Sequence, residues 1–249
     1  MTFTNDKVVF NSIIVEWDIR RANVSLMRYY NLYDDDKLKS LEKMRKKDRE
    51  VKVGLLCREN KELSKALSKS FDTIMEEFLT ANNLDKDYDI LSIKKDAAFV
   101  INKEPVQTVF GPVVFIPKNV YKGFIQIGRY EFYIKSDNTF DVKGWPKNID
   151  INIHKDGVLD LIRETLNVAE ANNGDLSAMA EFLHSFADNY KKKNLDFEYY
   201  REFNEHSDYL IHSSDYDVRM TDISEEFIDE CDISFNYKNI FLPLMRKFL

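Results

Sequence analysis

Hydrophobic positions along the chain recur with two different spacings, and the switches between them mark out its elements. Residues 8–19, Val-Val-Phe-Asn-Ser-Ile-Ile-Val-Glu-Trp-Asp-Ile, are rich in β-branched and aromatic types and predict a buried strand ending near Asp18. Over 21–32 the spacing turns helical, with Ala22, Leu26, Tyr29 and Tyr30 on one side. A charged, mostly helical stretch follows. Beyond Asn60, the residues Leu63, Ala66, Leu67, Phe71, Ile74, Met75 and Phe78 keep helical spacing, which predicts one helix running to Leu79. Asn82-Asn83 is its stop signal.

Tyr88–Ile93 and Ala97–Ile101 are apolar runs separated by Lys94-Lys95-Asp96, the pattern of a β-hairpin with Asp96 at or just past its turn. Strand composition continues over 106–116, 121–127, 129–135 and 139–143, with breaks at Pro117-Lys118-Asn119, Gly128 and Ser136-Asp137-Asn138. Residues 156–172 and 175–192 read as helices, each opened by an Asp-containing turn that can cap it. The tail alternates acidic loop with short apolar pieces and closes on a helix over 240–249. The expected class is α+β. No repeat, low-complexity run or Gly/Ser linker marks a domain boundary.

Composition narrows the function. With 249 residues, 44% of them hydrophobic, the chain has ample apolar residue for a core, and its net charge of −7 is too small for wholesale disorder. Only 7 residues are Gly, and neither G-x-G-x-x-G nor G-x-x-x-x-G-K-[ST] occurs, which excludes a P-loop ATPase and a simple Rossmann enzyme. Cys57 and Cys231 have no Cys or His at ligand spacing, and His154, His184, His206 and His212 have no zinc-site spacing, so none is assigned a role. Reduced cysteines, an N-terminus without a signal pattern and the absence of a run of about 18 apolar residues together predict a cytoplasmic, non-membrane protein.

The charge is unevenly spread. Residues 37–69 hold twelve Lys/Arg against five acids, a local +7 that leaves −14 for the rest. One basic stretch in an acidic chain suits a protein of which a single face meets phosphate; the plain alternative is a solvated helix laced with i,i+4 pairs. Asp34-Asp35-Asp36 reads as a solvated loop rather than a metal cluster.

A strand-end carboxylate, a basic helical segment and a second carboxylate on a hairpin then form a chemical pattern. Two acids on neighbouring strands can hold two Mg²⁺ ions about 3.5–4 Å apart for a phosphoryl displacement, with the intervening bases cradling a triphosphate. Asp18-Ile19-Arg20-Arg21-Ala22-Asn23-Val24-Ser25-Leu26-Met27 resembles a strand-end D-I-x-x-A-Y-P-S-x-M, the first palm motif of family B DNA polymerases, in particular the short phage-type ones. Leu91-Ser92-Ile93-Lys94-Lys95-Asp96-Ala97-Ala98-Phe99-Val100 is similar to the second, V-Y-G-D-T-D-S-L-F-V. Gly128 to Tyr133 through Asp141 to Gly144 is similar to the family's K-K-x-Y…K-G stretch.

The resemblance implies a palm-like antiparallel sheet over 1–33 and 84–152, a helical fingers-like insertion over 34–83 and a helical thumb-like region over 153–249. It implies template-directed nucleotidyl transfer with two Mg²⁺ held by Asp18 and Asp96. Nucleotide binding falls to Arg20, Arg21, Asn23, Lys47, Arg49, Lys52 and Arg58, and nucleic-acid binding to Arg129 and Lys143. The implied partners are a template and primer and nucleoside triphosphates; an exonuclease domain missing before the first motif and the small fingers imply either a minimal polymerase or one piece of a split one with partner subunits.

Three departures matter. Lys94 replaces the first Asp of the D-T-D triplet and places a cation within reach of the metals. Asn23 replaces the aromatic residue that excludes a 2′-hydroxyl, and an amide there can hydrogen-bond one, so ribonucleotide use is open. The fingers motif is present only as a lysine and an asparagine, Lys52 and Asn60, at wider spacing. Two other functions stand beside polymerisation: an inactive palm-like nucleic-acid-binding subunit, favoured by Lys94, and an α+β interaction protein whose basic helix binds an acidic partner. Richness in Lys, Asn and Ile fits an AT-rich bacterial or phage genome.

Overall fold

The computed structural model describes residues 2–5, 8–145, 158–196, 199, 202–203, 209–212, 217–220 and 241–248. The fold is α+β, and the chain divides into two compact units, Met1–Asp6 with Ser12–Tyr121 and Lys7–Asn11 with Lys122–Leu249. Elements are numbered in chain order.

The first unit holds β1 (Phe3–Thr4), β3 (Ile14–Ile19), α1 (Ala22–Tyr29), α2 (Asp35–Glu42), α3 (Lys46–Glu59), α4 (Lys61–Ala81), β4 (Ile90–Lys94), β5 (Ala97–Ile101), β6 (Val109–Phe110) and the first part of β7 (Val113–Ile127). Its strands run in the order β1-β4-β5-β3-β7, with antiparallel neighbours. Along β3, alternation sends Trp17 and Ile19 into a core shared with the helices. Glu16 and Asp18 therefore project from the opposite face.

Helix α4 forms the backbone of that core. Leu63, Leu67, Phe71, Ile74, Met75, Phe78 and Leu79 recur at helical spacing and are buried. Asn60 caps its start by accepting from the Leu63 N–H at 3.0 Å. At its end Asn82 donates to the Phe78 carbonyl and exchanges two hydrogen bonds with the backbone of Gln107. Phe78 stacks on Phe115 of β7, ring centroids 4.1 Å apart, which ties helix to sheet. Helices α1 and α2 are joined by Arg28, whose guanidinium donates to both oxygens of Glu42 and to Asp35.

The second unit pairs β2 (Val8–Val9) with the end of β7, and β7 is followed across the sheet by β8 (Tyr130–Lys135) and β9 (Phe140–Lys143). Its core joins Ile125, Ile127, Phe132 and Ile134 to Leu161 and Ile162 of α5 (Asp160–Ala171), Leu183 and Phe186 of α6 (Leu176–Lys191), Phe241 and Leu244. A separate antiparallel sheet contains β10 (Glu202–Phe203), β11 (Tyr209–His212) and β12 (Asp217–Met220), and α7 spans Leu242–Phe248.

Several expectations change. The stretch 8–19 is two strands, because Asn11 adopts φ 47° and turns the chain between β2 and β3, which serve different units. Asp34-Asp35-Asp36 starts a helix: Asp34 caps α2 by accepting from the Lys37 N–H, and Asp35 and Asp36 fill its first turn. Pro117-Lys118-Asn119 does not separate two strands but lies inside β7. Its proline sits at an irregularity in the ladder, where such residues are tolerated. The thumb-like region expected to be helical also carries β10–β12, while 146–157 and most of 197–240 lie outside the described residues.

Removing the ring that joins α4 to the sheet tests this packing. Phe78→Ala is expected to cost about 3–5 kcal/mol in urea unfolding, whereas Val51→Ser, at a residue 57% exposed, should change stability by less than about 0.5 kcal/mol.

Candidate functional site

Strand β3 and the β4–β5 hairpin bring the two predicted carboxylates together. Asp18 pairs in register with Ala97, and the next residue along, Ile19, donates its N–H to the Asp96 carbonyl at 2.9 Å. Asp96 occupies the two-residue hairpin turn with Lys95, whose φ of 30° is the left-handed geometry such turns require. The turn is thus fastened to the strand end, and both side chains line one cleft of ≈ 360 Å³.

Their proximity has an electrostatic signature. The Asp96 carboxyl is pushed above the ordinary carboxylate range, first by burial and next by the negative charge of Asp18. Two residues before Asp18 on the same strand face, Glu16 is buried and accepts from Asn119 Nδ2 at 2.6 Å and Tyr121 Oη at 3.2 Å. Lys118 Nζ lies 2.8 Å from Asp18 Oδ2 and 3.5 Å from Glu16 Oε1. Its ammonium is held above its usual range chiefly by the hydrogen bond to Asp18.

The wall beside the acids is basic. Arg20 and Arg21 line the cleft from the β3–α1 turn and Asn23 from the first turn of α1; Arg21 adopts φ 53° and Arg20 donates its N–H to the Val114 carbonyl. From α3 come Lys46, Arg49, Glu50 and Val53. They fall at i, i+3, i+4 and i+7, one stripe of a helix, and buried Val53 fixes that stripe inward.

Of the predicted nucleotide-binding set, the fold brings Arg20, Arg21, Asn23 and Arg49 to the acids. Lys47, Lys52 and Arg58 are rotated off the inward stripe of α3 and do not line the cleft. Arg129 and Lys143 belong to the second unit, where Arg129 lies over the Tyr130 ring and Lys143 over the Tyr133 ring. Lys94, expected near the metals, donates to Thr4 Oγ1 at 2.5 Å and does not line the cleft; the lysine on an acid is Lys118. Lys46, weighed in the sequence only as one of several basic residues that could meet a triphosphate, lines the cleft, whereas Glu16, Glu50 and Lys118 were passed over. Glu16 was legible as a charged residue inside a strand, in phase with Asp18.

Whether two Mg²⁺ fit can be judged from the donors. Among the described residues no group of three or more His, Cys, Asp or Glu side chains is placed to hold a metal. Asp18 and Asp96 are hard oxygen donors lining one cleft, and Mg²⁺ commonly takes one or two carboxylates and completes its shell with water and substrate phosphate. The donor set fits an ion shared with a phosphate-bearing substrate and does not fit a resident structural metal.

Comparison with known proteins adds the lineage. The profile described as Bacteriophage PBS1 gene 130 protein matches residues 1–249, the whole chain. The chain belongs to that family. The match is to a phage family, in line with the Lys, Asn and Ile richness, and its description specifies no activity. No curated protein matches the sequence. Among the described residues of this family member, no helix is long and apolar enough to cross a membrane.

The raised Asp96 carboxyl has a consequence for stability. Because the fold disfavours its charged form, the contribution of Asp96 is full below the ordinary carboxylate range and is lost as pH rises through its elevated value. In chelator-treated buffer Asp96→Asn should therefore melt above wild type at about pH 7, with the gap closing near about pH 3.5. A lower melting temperature at neutral pH would contradict the assignment.

Proposed function

We propose that this chain is a nucleotidyltransferase with a polymerase-palm-like core, extending a primer or starting a strand on a nucleic-acid template. The observation that carries this reading is the meeting of Asp18 and Asp96, from a strand end and an adjoining hairpin turn, in a cleft whose cationic wall suits a triphosphate. The order of these parts along the chain also resembles the family B palm.

In this reading Asp18 and Asp96 hold two divalent ions, which when bound neutralise charge on the attacking and leaving oxygens. Arg20 and Arg21 at the β3–α1 turn, with Lys46 and Arg49 on the first turns of α3, bind and orient the phosphates of the incoming nucleotide. The N-terminus of α3 adds its dipole to that anion site. A primer hydroxyl attacks the α-phosphorus and gives its proton to solvent water, the bond from that phosphorus to the bridging oxygen of the β-phosphate breaks, and pyrophosphate leaves. Asn23, which lines the same cleft, stands where the sugar passes and presents an amide to a 2′-hydroxyl. Template and primer, partner subunits and a place in phage DNA replication inside the host cytoplasm belong to the same proposal.

A second reading has its own observation. Lys118 already neutralises Asp18, and a palm so neutralised can serve as a nucleic-acid-binding subunit without catalysis.

Primer extension with Mg²⁺ and separate dNTP and NTP pools decides between them. Asp18→Asn and Asp96→Asn are each expected to lower incorporation by at least about 100-fold, the scale of losing an essential electrostatic group. Incorporation unchanged in both variants would remove the two-carboxylate assignment; none in the wild type, with template still bound, would establish the subunit reading. In the same assay Asn23→Tyr should lower NTP use relative to dNTP use by roughly tenfold or more. An unmoved ratio would show that Asn23 does not read the sugar.

A further inference from the structure

The pairing of β3 with β7 contains one irregularity, and it falls at the site. Glu16 is opposite Asn119 and Trp17 opposite Pro117, so Lys118 is the extra residue of a β-bulge. A bulge re-aims a side chain that regular alternation would direct elsewhere. Here the Lys118 ammonium meets both acids of the β3 face, 2.8 Å from Asp18 and 3.5 Å from Glu16. The partners differ in surroundings. Glu16 is 4% exposed and fixed by Asn119 and Tyr121, both from β7 just beyond the bulge, whereas the Asp18 side chain is 22% exposed and opens on the cleft. The Lys118 side chain itself is 51% exposed and has room to move.

Resting on the two-carboxylate reading above, we propose that Lys118 is a built-in counter-ion for Asp18, tethered by the buried Glu16, which yields Asp18 when a divalent cation arrives. In the cation-free cleft the ammonium neutralises Asp18 and eases its repulsion of Asp96. When a divalent cation takes the Asp18 carboxylate, the lysine stays with Glu16, which is too buried and too fully hydrogen-bonded to act as a further ligand. Glu16 is thus a positioning residue, acting through Lys118. Ammonium and metal compete for one carboxylate, so the population of the Lys118–Asp18 pair lowers the apparent metal affinity by the fraction of molecules left competent.

Mn²⁺ binding to the full chain, followed by the paramagnetic resonance of the free ion, reads this without any catalytic assay. Lys118→Met should bind Mn²⁺ roughly tenfold tighter than wild type, and Lys118→Arg, which keeps the cation, should stay within about twofold of wild type. Glu16→Gln, which removes the tether and leaves Lys118 to Asp18, should weaken binding, the opposite direction. Equal affinity in wild type and Lys118→Met overturns the counter-ion role while leaving the carboxylate pair intact. Absence of Mn²⁺ binding in both, with melting curves showing folded protein, overturns the two-carboxylate reading and this inference with it.

Discussion

Two carboxylates side by side repel each other, and much of the first unit is arranged to sustain that repulsion. Asp18 cannot retreat, because it lies on a strand paired on both sides, with β5 and with β7. Asp96 cannot retreat either, because its backbone carbonyl is hydrogen-bonded to the residue that follows Asp18. Burial first, and the charge of Asp18 second, raise the Asp96 carboxyl, and the ammonium of Lys118 is drawn onto Asp18.

The rest of the unit follows from holding that pair. Helix α4, packed through Phe78 and its apolar stripe, supports the sheet from the face opposite Glu16 and Asp18. Helix α3 contributes one fully buried residue, Val53, with Leu56 and Cys57 partly buried against the same core, and its remaining positions are mostly charged or exposed, with Lys46, Arg49 and Glu50 lining the cleft. A largely polar helix gains little from its own burial. Its placement makes sense as presentation of Lys46, Arg49 and Glu50 to the cleft.

Much of this was legible in the chain. Strand composition ending near Asp18, the spacing from Leu63 to Phe78 and the Asp96 hairpin each rest on interactions between residues close in sequence. Such interactions leave a local pattern. The misread places are those where a local signal met a non-local demand. Pro117 looked like a break and became part of a bulge, because β3 pairs on through it. The single strand expected over 8–19 became two, since each half finds partners in a different unit.

The sequence by itself determined the α+β class, the two candidate carboxylates and the basic segment between them, since residue type and spacing carry that information. Tertiary structure alone decided which charges line the cleft. The phase of α3 selected Lys46 and Arg49 over Lys47, Lys52 and Arg58, and strand pairing across about a hundred residues set Lys118, rather than Lys94, against Asp18. Charge acts through distance in space, and neither helix phase relative to a distant sheet nor the position of a bulge is written in the identity of the residues that carry the charge.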